Sequence, residues 1–169
     1  MLFLHSLFNI CFRTGKVPDI WGKTIIHPIP KSSSADPRDP LSYRGISLAS
    51  AIYKIYASIL NSRLNDWSER DGKITEEQNG FRKERSTIDQ ILSLTNIIET
   101  RKKRRRSTFS AFIDFRKAYD MINREKLWQK LLDSGIGGNM SKAIKSLYAS
   151  VTASVRLGGC STEWFDIKC

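Results

Sequence analysis

The sequence predicts a mixed fold of helices and strands, α+β or α/β, and two observations carry that prediction. Apolar residues recur at three- and four-residue steps in several long segments, which is the spacing of amphipathic helices. Short runs rich in β-branched residues and bounded by Pro, Gly or Asp lie between those segments and indicate strands. The 169 residues are 40% hydrophobic, so the chain can bury a core and is not wholly disordered.

The amino-terminal half predicts one strand between two helices. Residues 2–13 are predicted to form an amphipathic helix, and residues 23–29 (KTIIHPI) a strand that its prolines end or place at an edge. Residues 32–40 (SSSADPRDP) are predicted to form a loop. A long helix follows at residues 49–67, and its apolar stripe consists of Ile52, Ile55, Tyr56, Ile59, Leu60, Leu64 and Trp67.

The middle of the chain predicts a helix followed by a strand. The helix begins at Ser86 or Thr87, where Thr87 and Gln90 have the spacing of a capping box. A strand is predicted at residues 108–114 (TFSAFID), a short and largely apolar run that ends in an acid. We expect a carboxylate to stand at the end of that strand.

The last third predicts two helices and a hairpin. Asn123 is expected to cap a helix that ends at Gly135, and residues 140–148 are predicted to form the next one. Residues 151–157 and a Gly-Gly turn predict the first arm of a hairpin, whose return strand is residues 164–168. Because that strand runs to the last residues, we expect the chain to be a fragment of a larger protein.

The charge balance predicts a polyanionic partner. The chain has 28 Lys and Arg against 17 Asp and Glu, a net charge of +11, which favours nucleic acid over a membrane surface. Residues 101–106 (RKKRRR) are expected to be a solvated loop, with a nucleic-acid contact or a transport signal as alternatives. No apolar run approaches the roughly 20 residues of a membrane span.

The cysteine content excludes two further classes of protein. The three cysteines are an odd number without a CxxC pair, so they support neither a zinc knuckle nor a disulfide framework. We therefore expect a reducing, intracellular compartment.

Residues 111–120 (AFIDFRKAYD) are the candidate catalytic segment. Asp114 follows a short apolar run directly, and a side chain at the carboxyl end of a strand can reach a ligand. The structural alternative is that Asp114 only ends a strand, that Asp120 helps to cap the next helix, and that Tyr119 packs. This segment alone leaves both interpretations open.

Four motifs in a fixed order favour the catalytic interpretation of residues 111–120. They are residues 25–31 (IIHPIPK), 43–48 (YRGISL), 78–87 (QNGFRKERST) and 112–120 (FIDFRKAYD). In this order the series resembles the reverse transcriptases of non-LTR retrotransposons, the long-interspersed-element type, over residues 17–169. The resemblance implies an α+β right-hand polymerase that copies RNA into DNA, with fingers at residues 1–107 and a partial palm at residues 108–169.

The resemblance implies a metal site in the palm. Asp114 matches the first catalytic aspartate of the family, and Phe115 would lend its backbone carbonyl to Mg²⁺, with Mn²⁺ as a substitute. Two such ions, about 3.5–4 Å apart, would bind the attacking and leaving oxygens of nucleotidyl transfer. Tyr119 matches the aromatic residue that excludes a 2′-hydroxyl, and Asp120 matches the acid that organises the next turn, outside the catalytic set.

The resemblance also implies the substrates and their contacts. Lys31 and Arg44 match the fingers cations that bind the triphosphate of an incoming deoxynucleotide, although a solvated loop position is the alternative for both. Gln78, Phe81 and Arg82 match a block near the template strand, although core packing is equally open for Phe81. The partners would be an RNA template, a DNA primer, deoxynucleoside triphosphates, and the rest of the palm and thumb, with no membrane.

Departures from the family limit what this chain is expected to do alone. Gly45 stands where many relatives have Pro, and Glu84 stands where Gly is usual. The Gln-Gly block and the Asp-Asp pair of the family are absent from the sequence. Because one aspartate cannot hold two Mg²⁺ ions, we expect the chain to lack polymerase activity. A non-catalytic nucleic-acid-binding remnant is the alternative function.

Overall fold

The computed structural model describes residues 2–34, 36–115, 118–119 and 121–167. The chain falls into two compact units. Unit 1 comprises Met1–Asn61 and Asp120–Cys169, and unit 2 comprises Ser62–Tyr119. The predicted division into fingers and palm at residue 107 is a separate, functional boundary and stays a prediction.

The described residues form helices and strands in an irregular order. The helices are α1 (Leu2–Thr14), α2 (Ala51–Arg70), α3 (Thr87–Lys103), α4 (Arg124–Asp133) and α5 (Gly138–Ser146), with short 3₁₀ helices at Asp19–Gly22 and Pro40–Ser42. The strands are β1 (Lys23–Pro30), β2 (Tyr43–Leu48), β3 (Thr152–Leu157), β4 (Cys160–Ser161) and β5 (Phe165–Asp166). The predicted class of mixed helices and strands is confirmed.

A five-stranded mixed sheet organises unit 1. Strand β1 pairs antiparallel with β2 and parallel with β3, while β4 and β5 both pair antiparallel with β3. The predicted hairpin is therefore confirmed, with Gly158 and Gly159 at its turn. Their φ angles of 57° and 84° are left-handed, a conformation that glycine adopts without steric cost and that suits the twist of a two-residue hairpin turn.

The core of unit 1 joins α1, α2 and α5 around an aromatic cluster. Tyr56 is 1% exposed, and its ring centroid lies 5.3 Å from those of both Trp21 and Phe8. Only part of the predicted stripe on α2 faces this core: Tyr56 and Leu60 are buried. The isoleucines of the stripe remain 37–47% exposed, and they are Ile52, Ile55 and Ile59.

Close backbone contact explains one glycine beside this core. Gly22 ends the first 3₁₀ helix where it meets the chain just before β3. A Cβ atom added at Gly22 would stand 2.0 Å from the carbonyl oxygen of Ser150, closer than any side-chain carbon can approach. Glycine is therefore the residue that lets these two segments meet.

Helix α4 begins and ends as the sequence predicts. The Asn123 side chain accepts a hydrogen bond from the backbone N–H of Lys126, which caps the helix. Gly135 has a φ of 97°, its N–H donates to Leu132, and the N–H of Ile136 donates to Leu131. This is a Schellman ending, and it buries Ile136 to 8% exposure.

Unit 2 departs from the predicted elements at two places. Residues 108–114 are not a strand: they lie in irregular, exposed backbone. A strand needs a partner strand for its N–H and C=O groups. Among the described residues, all strand pairings are between members of the set β1, β2, β3, β4 and β5, and none includes residues 108–114. The capping box is also one residue earlier than predicted, because Ser86 and Asp89, not Thr87 and Gln90, exchange hydrogen bonds.

Candidate functional site

The β1–β2 hairpin brings Lys31 and Arg44 to the same face. Arg44 lies opposite Ile29 in the ladder, and the N–H of Lys31 donates to the carbonyl of Ser42 at 2.9 Å, two pairs further along. Because side chains alternate between faces and the hydrogen bond to Ser42 extends the pairing one residue beyond β1, positions 29 and 31 share a face with position 44. Lys31 and Arg44 are both exposed there, at the end of the hairpin.

The connection between the two strands is held by its own polar side chains. The Asp39 carboxylate accepts the N–H of Leu41 at 2.9 Å and caps the short 3₁₀ helix. The Tyr43 hydroxyl donates to the carbonyl of Pro37 at 3.1 Å. These bonds order the end of the hairpin without drawing on Lys31 or Arg44, so the two cations face solvent.

Asp114 and Phe115 lie in an exposed segment of unit 2. Asp114 therefore does not follow a strand, which corrects the position predicted for it. Its neighbours are largely exposed as well, at 81% for Ile113 and 77% for Phe115, so the carboxylate is not turned into an apolar core. Asp120, with Arg116 and Lys117, lies outside the residues that the structure describes.

The donor atoms at this position suit Mg²⁺ in kind but not in number. A carboxylate and a backbone carbonyl are the hard oxygen ligands that Mg²⁺ prefers. Within the described ranges, no group of three or more His, Cys, Asp or Glu side chains is placed to hold a metal ion. Asp114 is thus a carboxylate that the described residues do not complete into a metal site.

Phe81 and Tyr119 form an aromatic pair in unit 2. Their ring centroids are 6.4 Å apart with the planes at 85°, an edge-to-face contact. Phe81 is 86% exposed and Tyr119 is 72% exposed, so each ring keeps most of its surface free. The alternative that Phe81 packs in the core is wrong. The structure brings together one residue predicted for the template and one predicted for the nucleotide sugar.

Arg82 points away from solvent, unlike the adjacent Phe81. Its side chain is 6% exposed and makes a bidentate contact with Glu69, with both N···O distances at 2.7 Å. The remaining nitrogen, Nη1, donates to the carbonyls of Thr75 and Gln78 at 3.0 and 3.1 Å. The guanidinium is therefore engaged with the protein on every side.

Gln78 serves the same turn. Its side-chain amide donates to the carbonyl of Gly80 at 3.1 Å, and its backbone N–H donates to Thr75 at 3.1 Å. Gln78 itself is exposed.

Three acids support this turn, and sequence analysis did not single them out. Hydrogen bonds from Lys83, Arg82 and Arg85 lower the pKa values of Asp66, Glu69 and Glu76 respectively. The contact with Glu69 in turn raises the pKa of Arg82. The available signal was the presence of acids at positions 66, 69 and 76 and of cations at positions 82, 83 and 85.

The basic run at residues 101–106 is divided: residues 101–103 end a helix, and residues 104–106 follow it as an exposed turn, so the predicted loop is confirmed for the second half only. Arg101 to Lys103 occupy the last turn of α3, where cations favour the negative end of the helix dipole. The Arg101 guanidinium donates to the carbonyl of Ser107 at 2.7 Å and to the Thr108 hydroxyl at 3.2 Å. Arg101 therefore fixes the start of the segment that leads to Asp114.

The helices in the described part of the chain all fall short of the length and apolar character that a membrane span requires.

Comparison with known proteins gives consistent matches. Residues 29–166 match the family described as reverse transcriptase (RNA-dependent DNA polymerase). A probable RNA-directed DNA polymerase from transposon BS of Drosophila melanogaster is 30% identical over 131 residues, which is 78% of this chain and 14% of that protein. Its counterpart from the transposon X-element of the same species is 31% identical over 72% of this chain and 13% of its own length.

A third relative extends the match further along the chain. The retrovirus-related Pol polyprotein from the type-1 retrotransposable element R2 of Popillia japonica is 28% identical over 155 residues, 91% of this chain. That match covers 21% of the polyprotein, so the chain spans only 13–21% of these three relatives. The resemblance predicted from the four motifs is confirmed.

Proposed function

The chain belongs to the reverse transcriptase (RNA-dependent DNA polymerase) family, and on that premise we propose that it is the fingers and part of the palm of a retrotransposon polymerase. The function is RNA-directed DNA synthesis, carried out by a longer protein of which this chain supplies the nucleotide and template contacts. The single observation that supports it best is the shared exposed face of Lys31 and Arg44 at the end of the β1–β2 hairpin.

Lys31 and Arg44 are proposed to bind the triphosphate of the incoming deoxynucleotide. Arginine offers a planar fork for phosphate oxygens, and lysine adds a compact point charge beside it. Both sit on a hairpin whose strands fix their backbones while their side chains remain in solvent. The two residues can therefore adjust to the phosphates without a rearrangement of the sheet.

Tyr119 is proposed to contact the sugar of that nucleotide and to disfavour a 2′-hydroxyl. Gln78 and Phe81 are proposed to contact the templating strand, where an exposed ring stacks on any base. Arg82 carries the same prediction, and its contacts with Glu69 favour an indirect contribution through the turn that holds Phe81.

Asp114, with the carbonyl of Phe115, is proposed to hold Mg²⁺ or Mn²⁺ together with acids from the rest of the palm. The metal, when bound, would stabilise the negative charge that develops on the reacting oxygens. Asp114 would contribute one carboxylate, and its exposed position leaves it open to such partners. The 169-residue chain alone is proposed to be inactive for this reason.

Nucleotide binding tests the proposal without requiring catalysis. A fluorescent deoxynucleoside triphosphate titrated into the chain should bind about tenfold more weakly after Lys31→Ala or Arg44→Ala. The matched control is Arg38→Ala, which removes a cation from the connecting loop outside the ladder face. An equal loss of nucleotide affinity in Arg38→Ala would show that the effect comes from net charge alone, and it would contradict the proposed site.

Primer extension tests the proposed inactivity. The purified chain with an RNA template, a DNA primer and Mg²⁺ or Mn²⁺ should give no extension above background. Template-dependent extension that Asp114→Asn abolishes would contradict this expectation.

The second candidate function is a non-catalytic nucleic-acid-binding module. It is favoured by the net charge of +11 together with the finding that, among the described residues, no group of three or more His, Cys, Asp or Glu side chains is placed to hold a metal ion. Its signature is salt-dependent binding of single-stranded RNA that Asp114→Asn leaves unchanged, because phosphate neutralisation requires no metal. If this second function is right, Lys31 and Arg44 should not bind deoxynucleoside triphosphates selectively.

A further inference from the structure

One guanidinium makes the central contacts of the turn between α2 and α3. Residues 71–86 contain neither a helix nor a strand, so side-chain contacts fix their backbone. Arg82 supplies the central ones: it binds both carboxylate oxygens of Glu69 and the carbonyls of Thr75 and Gln78, while Glu76 lies 3.6 Å away. With its side chain 6% exposed in an otherwise exposed segment, Arg82 closes the turn from inside.

Phe81 is exposed and has an unfavourable backbone conformation. Its φ is 64°, in the left-handed region that large L-residues rarely adopt. The bonds of Arg82 fix the backbone on one side of Phe81, and the bond from Gln78 to the Gly80 carbonyl fixes the other side. The conformation turns the ring outward, against the edge of Tyr119.

Glu69 occupies a place where an acid is unfavourable by itself. It lies in the last turn of α2, next to the negative end of the helix dipole, where cations are preferred. Both of its oxygens are used by Arg82. Arg82 offsets this local conflict, and conflicts of this kind are expected at functional or strained sites.

We propose that Glu69 is a positioning residue: by holding Arg82 it keeps Phe81 in its left-handed conformation, with the ring beside Tyr119 and free to stack on an unpaired template base. This inference rests on the proposed function, which assigns Phe81 to the template. It adds a residue from α2, twelve positions before Phe81, that contacts neither nucleic acid nor metal and acts only through Arg82.

The test measures binding of a short single-stranded RNA that carries one 2-aminopurine, whose fluorescence falls when the base stacks. Phe81→Ala should weaken binding by the full chain about tenfold and abolish the quenching. Glu69→Gln should weaken binding about fivefold, although it removes a negative charge and electrostatics alone would strengthen binding to a polyanion. The matched control is Asp66→Asn, which removes the same charge one turn earlier and frees Lys83 instead of Arg82.

A double variant shows whether Glu69 acts through Phe81. Glu69→Gln should add nothing in a Phe81→Ala background, because the two residues serve one contact. Additive losses, or binding by Glu69→Gln that is unchanged or tighter, would overturn the positioning role. The Asp66→Asn control should bind as tightly as the original chain or more tightly, and a loss equal to that of Glu69→Gln would also overturn it.

A second measurement separates this inference from the proposed function. With 4-fluorophenylalanine at position 81 alone, the ¹⁹F resonance of the free protein should move in Glu69→Gln and stay fixed in Asp66→Asn. An unchanged resonance in Glu69→Gln overturns the positioning role even if Phe81 contacts RNA. A moved resonance combined with full RNA affinity in Phe81→Ala overturns the proposed template contact and leaves the positioning of the ring intact.

Discussion

The two units of the chain are stabilised by different forces, and helix α2 shows both. Its first half lies in unit 1, where Tyr56 and Leu60 are buried among aromatic rings. Its last turns lie in unit 2, where Asp66 and Glu69 bind cations of the following turn. In the described part of unit 2, no apolar side chain is buried. Unit 1 therefore depends on apolar burial, and unit 2 on charge and hydrogen bonding.

This difference predicts where each unit is sensitive. Apolar burial is insensitive to salt and to mild acid, whereas exposed ion pairs are weakened by both. The proposed nucleotide cations stand on the sheet of unit 1, and the proposed aromatic pair stands in unit 2. The geometry of the turn that carries Phe81 should therefore depend on salt and acid more than the geometry of the β1–β2 hairpin does.

The largest expected effect is the loss of the aromatic core of unit 1. Tyr56→Ala removes a ring that is 1% exposed and should lower the free energy of unfolding by about 3–5 kcal/mol. Urea denaturation followed by circular dichroism measures it. The control is Ile55→Ala at the preceding position, 47% exposed, which should cost less than about 1 kcal/mol. Equal costs would show that α2 does not bury the face described.

The next effect is confined to unit 2. Arg82→Ala removes the bonds to Glu69, Thr75 and Gln78, so amide hydrogen exchange in residues 73–86 should become about tenfold faster. The amides of β1 and β3 should not change. Arg70→Ala is the control, because the Arg70–Asp71 pair is largely exposed. Faster exchange in both units would remove the contrast between them.

Local sequence signals predicted unit 1 better than unit 2. Asn123 and Gly135 mark the ends of α4 because caps are local interactions between neighbouring residues. The strand expected at residues 108–114 failed because β-structure depends on a partner strand, which local composition does not specify. The apolar residues there, such as Phe112 at 85% exposure, satisfy a strand pattern without a ladder.

The candidate site divides in the same way. The motifs at residues 25–31 and 43–48 already indicated Lys31 and Arg44. The pairing of two short strands explains why these two residues share a face. The pairing of Glu69 with Arg82 spans thirteen positions and joins a helix end to an irregular turn. Neither hydrophobic period nor capping spacing encodes such a contact, so the sequence indicated Arg82 as a template residue and left Glu69 unnoticed.

A smaller effect locates the start of α3. Ser86→Ala removes the side-chain acceptor for the Asp89 N–H and the hydroxyl that donates to the Asp89 carboxylate, so exchange in the first turn should be about fivefold faster. Thr87→Ala is the control and should have little effect, because Thr87 is the first residue inside the helix. If Thr87→Ala accelerated exchange more than Ser86→Ala, the capping box would instead be the one predicted from Thr87 and Gln90.

The smallest effect is the response of unit 2 to acid. Hydrogen bonds from Lys83, Arg82 and Arg85 lower the pKa values of Asp66, Glu69 and Glu76 in the folded chain. Groups with a lowered folded pKa contribute stability that is fully present above their ordinary pKa of about 4 and is lost as pH falls through the folded values.

Exchange protection in residues 73–86, corrected for intrinsic rates, should therefore fall about twofold to threefold between pH 5.5 and pH 3, a small change because the pairs are screened by water. Protection in β1 and β3 should hold over the same interval, since none of these acids belongs to unit 1. A variant with Glu69→Gln and Glu76→Gln should lose most of the pH response. If unit 1 lost protection first, buried apolar contact would not be what separates the two units.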